Sequence, residues 1–136
     1  MSRMKKLNLD RLADAELDIM KVLWNTADGA KVSEIIKELS ASRSWKTSTA
    51  HVLLGRLEEH GYVTADRSGY YHKFYAKISE KEYFAIESDS LRRRIGGNFN
   101  SLVASLIDAH GVTEADIDEI SQILQKKRSE LKEKEQ

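Results

Sequence analysis

One stretch constrains this chain more than any other. It runs Ser44-Trp45-Lys46-Thr47-Ser48-Thr49-Ala50-His51-Val52-Leu53-Leu54-Gly55-Arg56-Leu57 and continues to Gly61-Tyr62-Val63. Apolar residues at 50, 53, 54 and 57 recur at the i, i+3, i+4, i+7 spacing of a helix that buries one face. Half a revolution away, at about 3.6 residues per turn, the outward face carries Ser48, His51, Val52 and Gly55. Lys46 and Thr47 stand in its first turn, and no acid follows before Glu58 and Glu59. A helix that enters a DNA major groove needs such a face, because bulky or acidic side chains would collide with base edges or repel phosphates. Helices that never touch DNA also carry small polar residues outward, so this stretch alone leaves both readings open.

Its neighbours narrow the choice. From Asp14, the residues Leu17, Met20, Val22, Leu23 and Trp24 predict a helix that stops before the turn pair Asp28-Gly29. Asp14 can cap it, whereas Ala13 has no side-chain acceptor. Lys31-Val32-Ser33 opens a short second helix with Val32, Ile35, Ile36 and Leu39 on its apolar side, and the polar stretch 40–44 ends it. Three short helices with a turn between the second and third make a helix-turn-helix unit.

Gly61 then falls where a helix end favours a left-handed residue. Tyr62-Val63-Thr64-Ala65, a turn at Asp66-Arg67-Ser68-Gly69 and the aromatic run Tyr70 to Ala76 predict a β-hairpin. Helices followed directly by a hairpin form a winged helix. Its wing would bring Arg67 at the tip, and Lys73 further along, against phosphates beside the groove, where contacts position a protein without specifying sequence. Arg3, Lys5, Lys6 and Arg11, in an N-terminal arm ending near Leu12, would reach a phosphate backbone or remain solvated.

The second half reads as helix throughout. Ser79-Glu80-Lys81-Glu82 is a capping box, and its helix runs past Tyr83, Ile86, Leu91 and Ile95 to Gly96-Gly97. Leu102, Val103, Leu106 and Ile107 form a second stripe, ended at Gly111. Thr113 caps a last helix, in which Ile117, Ile120, Leu124 and Leu131 fall close to a seven-residue seam and which is expected to fray beyond Lys126. Three amphipathic helices in so few residues bury too little area to hold alone. They therefore call for a second copy, with packing back onto the first half of the same chain as the alternative. The expected architecture is mainly α, with a winged helix-turn-helix domain over 1–77 and a three-helix dimerisation domain over 78–136.

Composition excludes several function classes. The 136 residues include no cysteine, which removes disulfides, thiolate metal sites and a cysteine nucleophile together. His51, His60, His72 and His110 have no metal-ligand spacing, and no phosphate-cradling loop or framed nucleophile occurs, so no metal, cofactor or enzymatic activity is expected. No apolar run reaches the roughly 20 residues of a membrane span, and the basic start leads into no signal-peptide core, which together predict a cytoplasmic protein. Net charge is zero, yet residues 1–77 hold 13 Lys and Arg against 10 Asp and Glu, and residues 78–136 hold 9 against 12. A mildly basic half joined to an acidic one fits a nucleic-acid-binding unit followed by an interaction unit. The run Arg92-Arg93-Arg94 reads as a solvated helix face.

The residues Leu12 to Trp24 (LADAELDIMKVLW), Val32 to Leu39 (VSEIIKEL), Trp45, Thr49, Leu53 to Leu57, Gly61-Tyr62-Val63, Tyr75, Gly96-Gly97 and Ser101-Leu102-Val103 carry a resemblance. As a linked set, from about residue 9 to 127, they resemble the penicillinase-repressor family of bacterial transcription regulators, the BlaI/MecI/CopY group. The resemblance implies a homodimeric repressor on a palindromic operator. Its reading helix would be Lys46 to His60, with Lys46, Thr47, Ser48 and His51 at base edges or adjacent phosphates. Arg56 would hold a phosphate or an intradomain acid, and Trp45 and Thr49 would sit on the buried side. Ile95, Leu102, Val103, Leu106, Ile117, Ile120 and Leu124 would form the dimer contact. Copper-responsive members use a cysteine cluster that this chain lacks. Antibiotic-responsive members are cut at an Asn-Phe bond, which would make a membrane sensor protease a partner. Asn98-Phe99 precedes Ser101-Leu102-Val103, whereas the family site falls just after that segment, where Ser105-Leu106 stands. Asn98 is thus a displaced cleavage site or a plain helix cap. A winged-helix protein-interaction module that ignores DNA is the competing function.

Overall fold

The computed structural model describes residues 11–109 and 111–135. Helix α1 (Asp14–Trp24) starts behind Ala13, whose extended backbone occupies the N-cap position. Alanine cannot bond the free amides of the first turn, and Glu16 supplies the reverse half of a capping box by accepting the Ala13 N–H at 3.2 Å. Helix α2 (Val32–Glu38) is built the same way, with Glu34 accepting the Lys31 N–H at 2.9 Å. Helix α3 (Thr47–Glu59) lies within the expected Lys46 to His60, the two end residues serving as its caps.

The end of α3 follows from Gly61, whose φ of 86° is left-handed. Tyr62 N–H donates to the Leu57 carbonyl at 2.8 Å and Gly61 N–H to the Glu58 carbonyl at 3.2 Å, the two bonds of a Schellman motif. The chain is thereby turned into strand β1 (Val63–Asp66), which pairs antiparallel with β2 (Lys73–Ala76) in the register Val63↔Ala76 to Asp66↔Lys73. Here the sequence expectation needs correction. Tyr70, Tyr71 and His72 are not strand residues: pairing stops at Asp66↔Lys73, and residues 67–72 form a loop. Asp66 Oδ1 turns that loop early by accepting both the backbone N–H and the hydroxyl of Ser68, at 2.9 and 2.6 Å. On the other side of β2, Ala30 and Phe74 exchange backbone hydrogen bonds of 3.0 and 2.9 Å, tying the entry to α2 to the wing.

The core of this half is the apolar stripe of each helix turned inward. Ile19, Met20 and Leu23 of α1, Val32 and Ile35 of α2, and Ala50, Leu54 and Leu57 of α3 close around Tyr62, Val63 and Phe74. Helix α4 (Glu80–Ile95), begun by the reciprocal Ser79–Glu82 capping box, completes it. Tyr83 is buried between Trp24 and Tyr62, with ring centroids 5.8 and 6.1 Å away. Its hydroxyl accepts the Leu12 N–H at 2.8 Å and donates to Glu87 at 2.7 Å, while Trp24 Nε1–H donates to the Ile78 carbonyl at 2.8 Å. Burial above all, then the hydrogen bond to Glu87, raises the Tyr83 pKa well above the usual phenol range, so the group stays neutral. These contacts carry the first compact unit on to Arg94 rather than ending it at residue 77, and a second unit begins at Ile95.

That second unit contains α5 (Phe99–Ile107) and α6 (Glu114–Lys134). Thr113 and Asp116 cap α6 reciprocally, at 3.0 and 3.1 Å. The expected fraying beyond Lys126 is not found, because α6 stays helical to Lys134. No residue of α5 or α6 is buried. Among the described residues no helix is long and apolar enough to cross a membrane.

Gly29 gives the fold a sharp test. Its φ is 81°, and a methyl group there would come within 2.6 Å of the Tyr75 ring. Gly29→Ala is expected to destabilise the protein by about 2 kcal/mol, combining left-handed strain with the clash. Gly55→Ala, on the open side of α3 with nothing within 4 Å of the added carbon, should stabilise it by about 0.5–1 kcal/mol. Urea unfolding of the two variants checks both signs.

Candidate nucleic-acid interface

Burying Ala50, Leu54 and Leu57 turns the opposite side of α3 to solvent. Lys46, Thr47, Ser48, His51, Val52, Gly55 and Arg56 are all exposed. With no acid in its first turn, α3 presents free amide groups and the positive end of its dipole beside Lys46. The sequence reading of this face therefore agrees with its geometry, except at Thr49. Thr49 was expected on the buried side but is exposed, because it lies in the first turn, ahead of the stripe that begins at Ala50.

Trp45 is half-buried and packs on the core. The Arg43 guanidinium lies 5.2 Å from its ring centroid and donates from Nε to Asp18 of α1 at 2.6 Å. Arg43 thus fixes the segment that leads into α3, a role its position in a polar loop did not disclose.

The wing is held against the other end of α3. Arg67, expected to face phosphates, directs Nη1 and Nη2 to the two Glu58 carboxylate oxygens at 2.8 and 2.6 Å. This pair occupies the guanidinium and neutralises the acid nearest the reading face. Lys73 is half-buried and reaches the Asp28 carbonyl at 3.5 Å. The hydrogen bond from Arg67 is the main cause of a lowered Glu58 pKa.

Between wing and helices runs an open groove of about 350 Å³, lined in part by Lys31, Thr47, His51, Tyr70, Tyr71 and His72. Tyr70 and Tyr71 are 91% and 64% exposed. Their rings meet edge to face, with centroids 4.7 Å apart, and Lys31 Nζ sits 5.2 Å from the Tyr71 centroid. Reading residues 70–76 as a strand hid this cluster; the signal was an aromatic pair next to Gly69, a residue that loops favour.

In the second unit Leu106, Ile117 and Leu124 are exposed, and Ile95, Leu102, Val103 and Ile120 are half-buried. Asn98 holds the N-cap position of α5 without a side-chain cap bond, and Phe99 is exposed. Among the described residues no cluster of metal-ligating side chains occurs.

A helix-turn-helix that shows an acid-free face, with a paired wing beside it, defines a winged-helix regulator. The chain belongs to the penicillinase repressor family, whose model matches residues 12–126. It is similar to the penicillinase repressor of Bacillus licheniformis, 32% identical over 131 residues that cover 96% of this chain and 100% of the relative. It is also similar to the methicillin resistance regulatory protein MecI of Mammaliicoccus sciuri, 25% identical over 117 residues covering 85% and 94% of the two chains. The solution structure of the DNA binding domain of the repressor BlaI matches at 32% identity, covering 55% of this chain and 90% of that one, with a TM-score of 0.49. The family consists of transcriptional repressors and not of enzymes.

The Glu58–Arg67 pair has a predictable pH signature. Because the folded-state pKa of Glu58 is depressed, its contribution is present above the ordinary carboxylate pKa and is lost as pH falls through the lowered one. An NMR titration should show the Glu58 carboxyl titrating below the normal glutamate range, and returning towards it in Arg67→Gln. An unchanged titration in that variant would mean that the pair does not persist in solution.

Proposed function

We propose that this chain represses transcription as a homodimer, each protomer inserting α3 into a major groove of an inverted-repeat operator. The observation that carries this reading is the exposed, acid-free face Lys46, Thr47, Ser48 and His51 on a helix fixed from behind by Ala50, Leu54 and Leu57. Short polar side chains on that face can reach base edges, and Lys46 or Arg56 can hold neighbouring phosphates. Four or so reading residues select too few base pairs to mark one operator, so specificity needs two copies.

The second copy is supplied by the second unit. Leu106, Ile117 and Leu124 stand exposed on α5 and α6, and joining them with Ile95, Leu102, Val103 and Ile120 across a two-fold axis would bury what one chain leaves open. Two-fold symmetry in turn sets half-sites about one helical turn, or a multiple of it, apart. The partner DNA places the protein in the cytoplasm. The Asn98–Phe99 bond, exposed at the start of α5, would let a membrane sensor protease end repression by cutting between the dimer contacts and the winged helix.

Fluorescence anisotropy on the fragment upstream of the chain's own gene tests this reading. Ser48→Ala with His51→Ala should weaken operator binding by about 10- to 100-fold, at about 1–3 kcal/mol for the lost base contacts, with little change on a random duplex or in stability. Leu106→Asp or Leu124→Asp should yield monomers in sedimentation and bind the operator far more weakly. Parental binding by the first variant would shift the reading to a protein-interaction module, and equally tight binding by the monomers would refute the dimer.

A further inference from the structure

The groove between wing and reading helix is not explained by base reading. Tyr70 and Tyr71 leave two large rings in water, 91% and 64% exposed, in a loop that needs neither ring for its own packing. None of the described residues lining the groove carries a carboxylate. Lys31, His51 and His72 supply cationic or donor groups, and Thr47, Tyr70 and Tyr71 supply hydroxyls. His51 belongs both to the outward face of α3 and to the groove wall. A duplex lying on α3 therefore continues into the mouth of the groove.

We propose that this groove seats the sugar–phosphate backbone beside the bases that α3 reads, gripped by Tyr70, Tyr71 and Lys31. The inference rests on the operator-binding reading and deepens it. It also moves the wing's grip from the hairpin tip, where Arg67 is held by Glu58, to the loop that follows. The chemistry matches the occupant on three counts. A deoxyribose offers an apolar face to a tyrosine ring, and a phosphodiester accepts from tyrosine and threonine hydroxyls. Lys31, already poised over the Tyr71 ring at 5.2 Å, supplies a charge whose counterpart is missing from the groove. An apolar peptide or a second copy of this chain would leave that charge unmatched, and the apolar surface suited to a second copy lies on α5 and α6.

The test is a set of anisotropy titrations of the full-length protein at several salt concentrations, on the operator fragment and on a random duplex of equal length. Lys31→Gln should weaken both complexes about fivefold and reduce the salt slope by about 0.9 for the lost phosphate contact. Tyr71→Ala should weaken both to a similar degree and leave the slope unchanged, since it removes a neutral contact. The ratio of operator to random affinity should stay at the parental value in both, as expected of contacts to the backbone. Parental affinity and slope in both variants would overturn the proposal, as would a changed affinity ratio, which would put the groove on base edges. Dissociation of the dimer by either substitution, seen in sedimentation, would assign the groove to a second copy and overturn it too. Failure of the unsubstituted protein to bind any duplex would instead refute the operator reading itself, and this inference with it.

Discussion

Everything on the DNA-facing side depends on the burial of three side chains of α3. Ala50, Leu54 and Leu57 are fully enclosed among α1, α2 and the strands. Removing either leucine would cost roughly 2–5 kcal/mol, a large share of the 5–15 kcal/mol that holds a typical domain. Exchanging Ser48 or His51, exposed on the far side, should move stability by less than about 0.5 kcal/mol. The helix cannot rotate without losing its core contacts, yet its outward residues are free to change. Rigid placement with a replaceable surface is what a reading helix requires.

The remaining elements hold that helix in place from its two ends. At the N-terminal end Arg43 joins Asp18 of α1 to the Trp45 ring. At the other end the Schellman turn at Gly61 feeds the wing, and the Glu58–Arg67 pair ties its tip back to the last turn of α3. That surface pair contributes little energy by itself, but it fixes geometry and cancels an acid near the phosphate path. Tyr83 performs the corresponding task on the far side of the core, joining α4 to Trp24, Tyr62 and Leu12.

The helices were legible in the sequence because their apolar residues repeat with helical period and their ends carry local signals: Gly61 after α3, Ser79 before α4, Thr113 before α6. The outward face of α3 was legible for the same reason, since knowing the buried stripe fixes what lies opposite. What escaped was set by contacts distant in sequence or by loop geometry. Tyr70-Tyr71-His72 alternates like a strand, but the Asp66–Ser68 bonds turn the chain and leave both rings outside. Arg67 has the composition of a phosphate contact, and only the fold brings Glu58 within 2.6 Å of it. Tyr83 reads as one more apolar helix position, while its hydroxyl bonds a residue 71 positions away and carries the first unit on to Arg94.

The absence of cysteine from the chain allows one direct measurement of whether α3 faces the bases. Ser48→Cys introduces a single attachment point on the reading face for a DNA-cleaving iron chelate. With the labelled protein on its operator, cuts should cluster at two places symmetric about the operator centre, one in each half-site. Random cutting along the fragment, or none while the complex remains formed, would contradict the placement of α3 in the grooves.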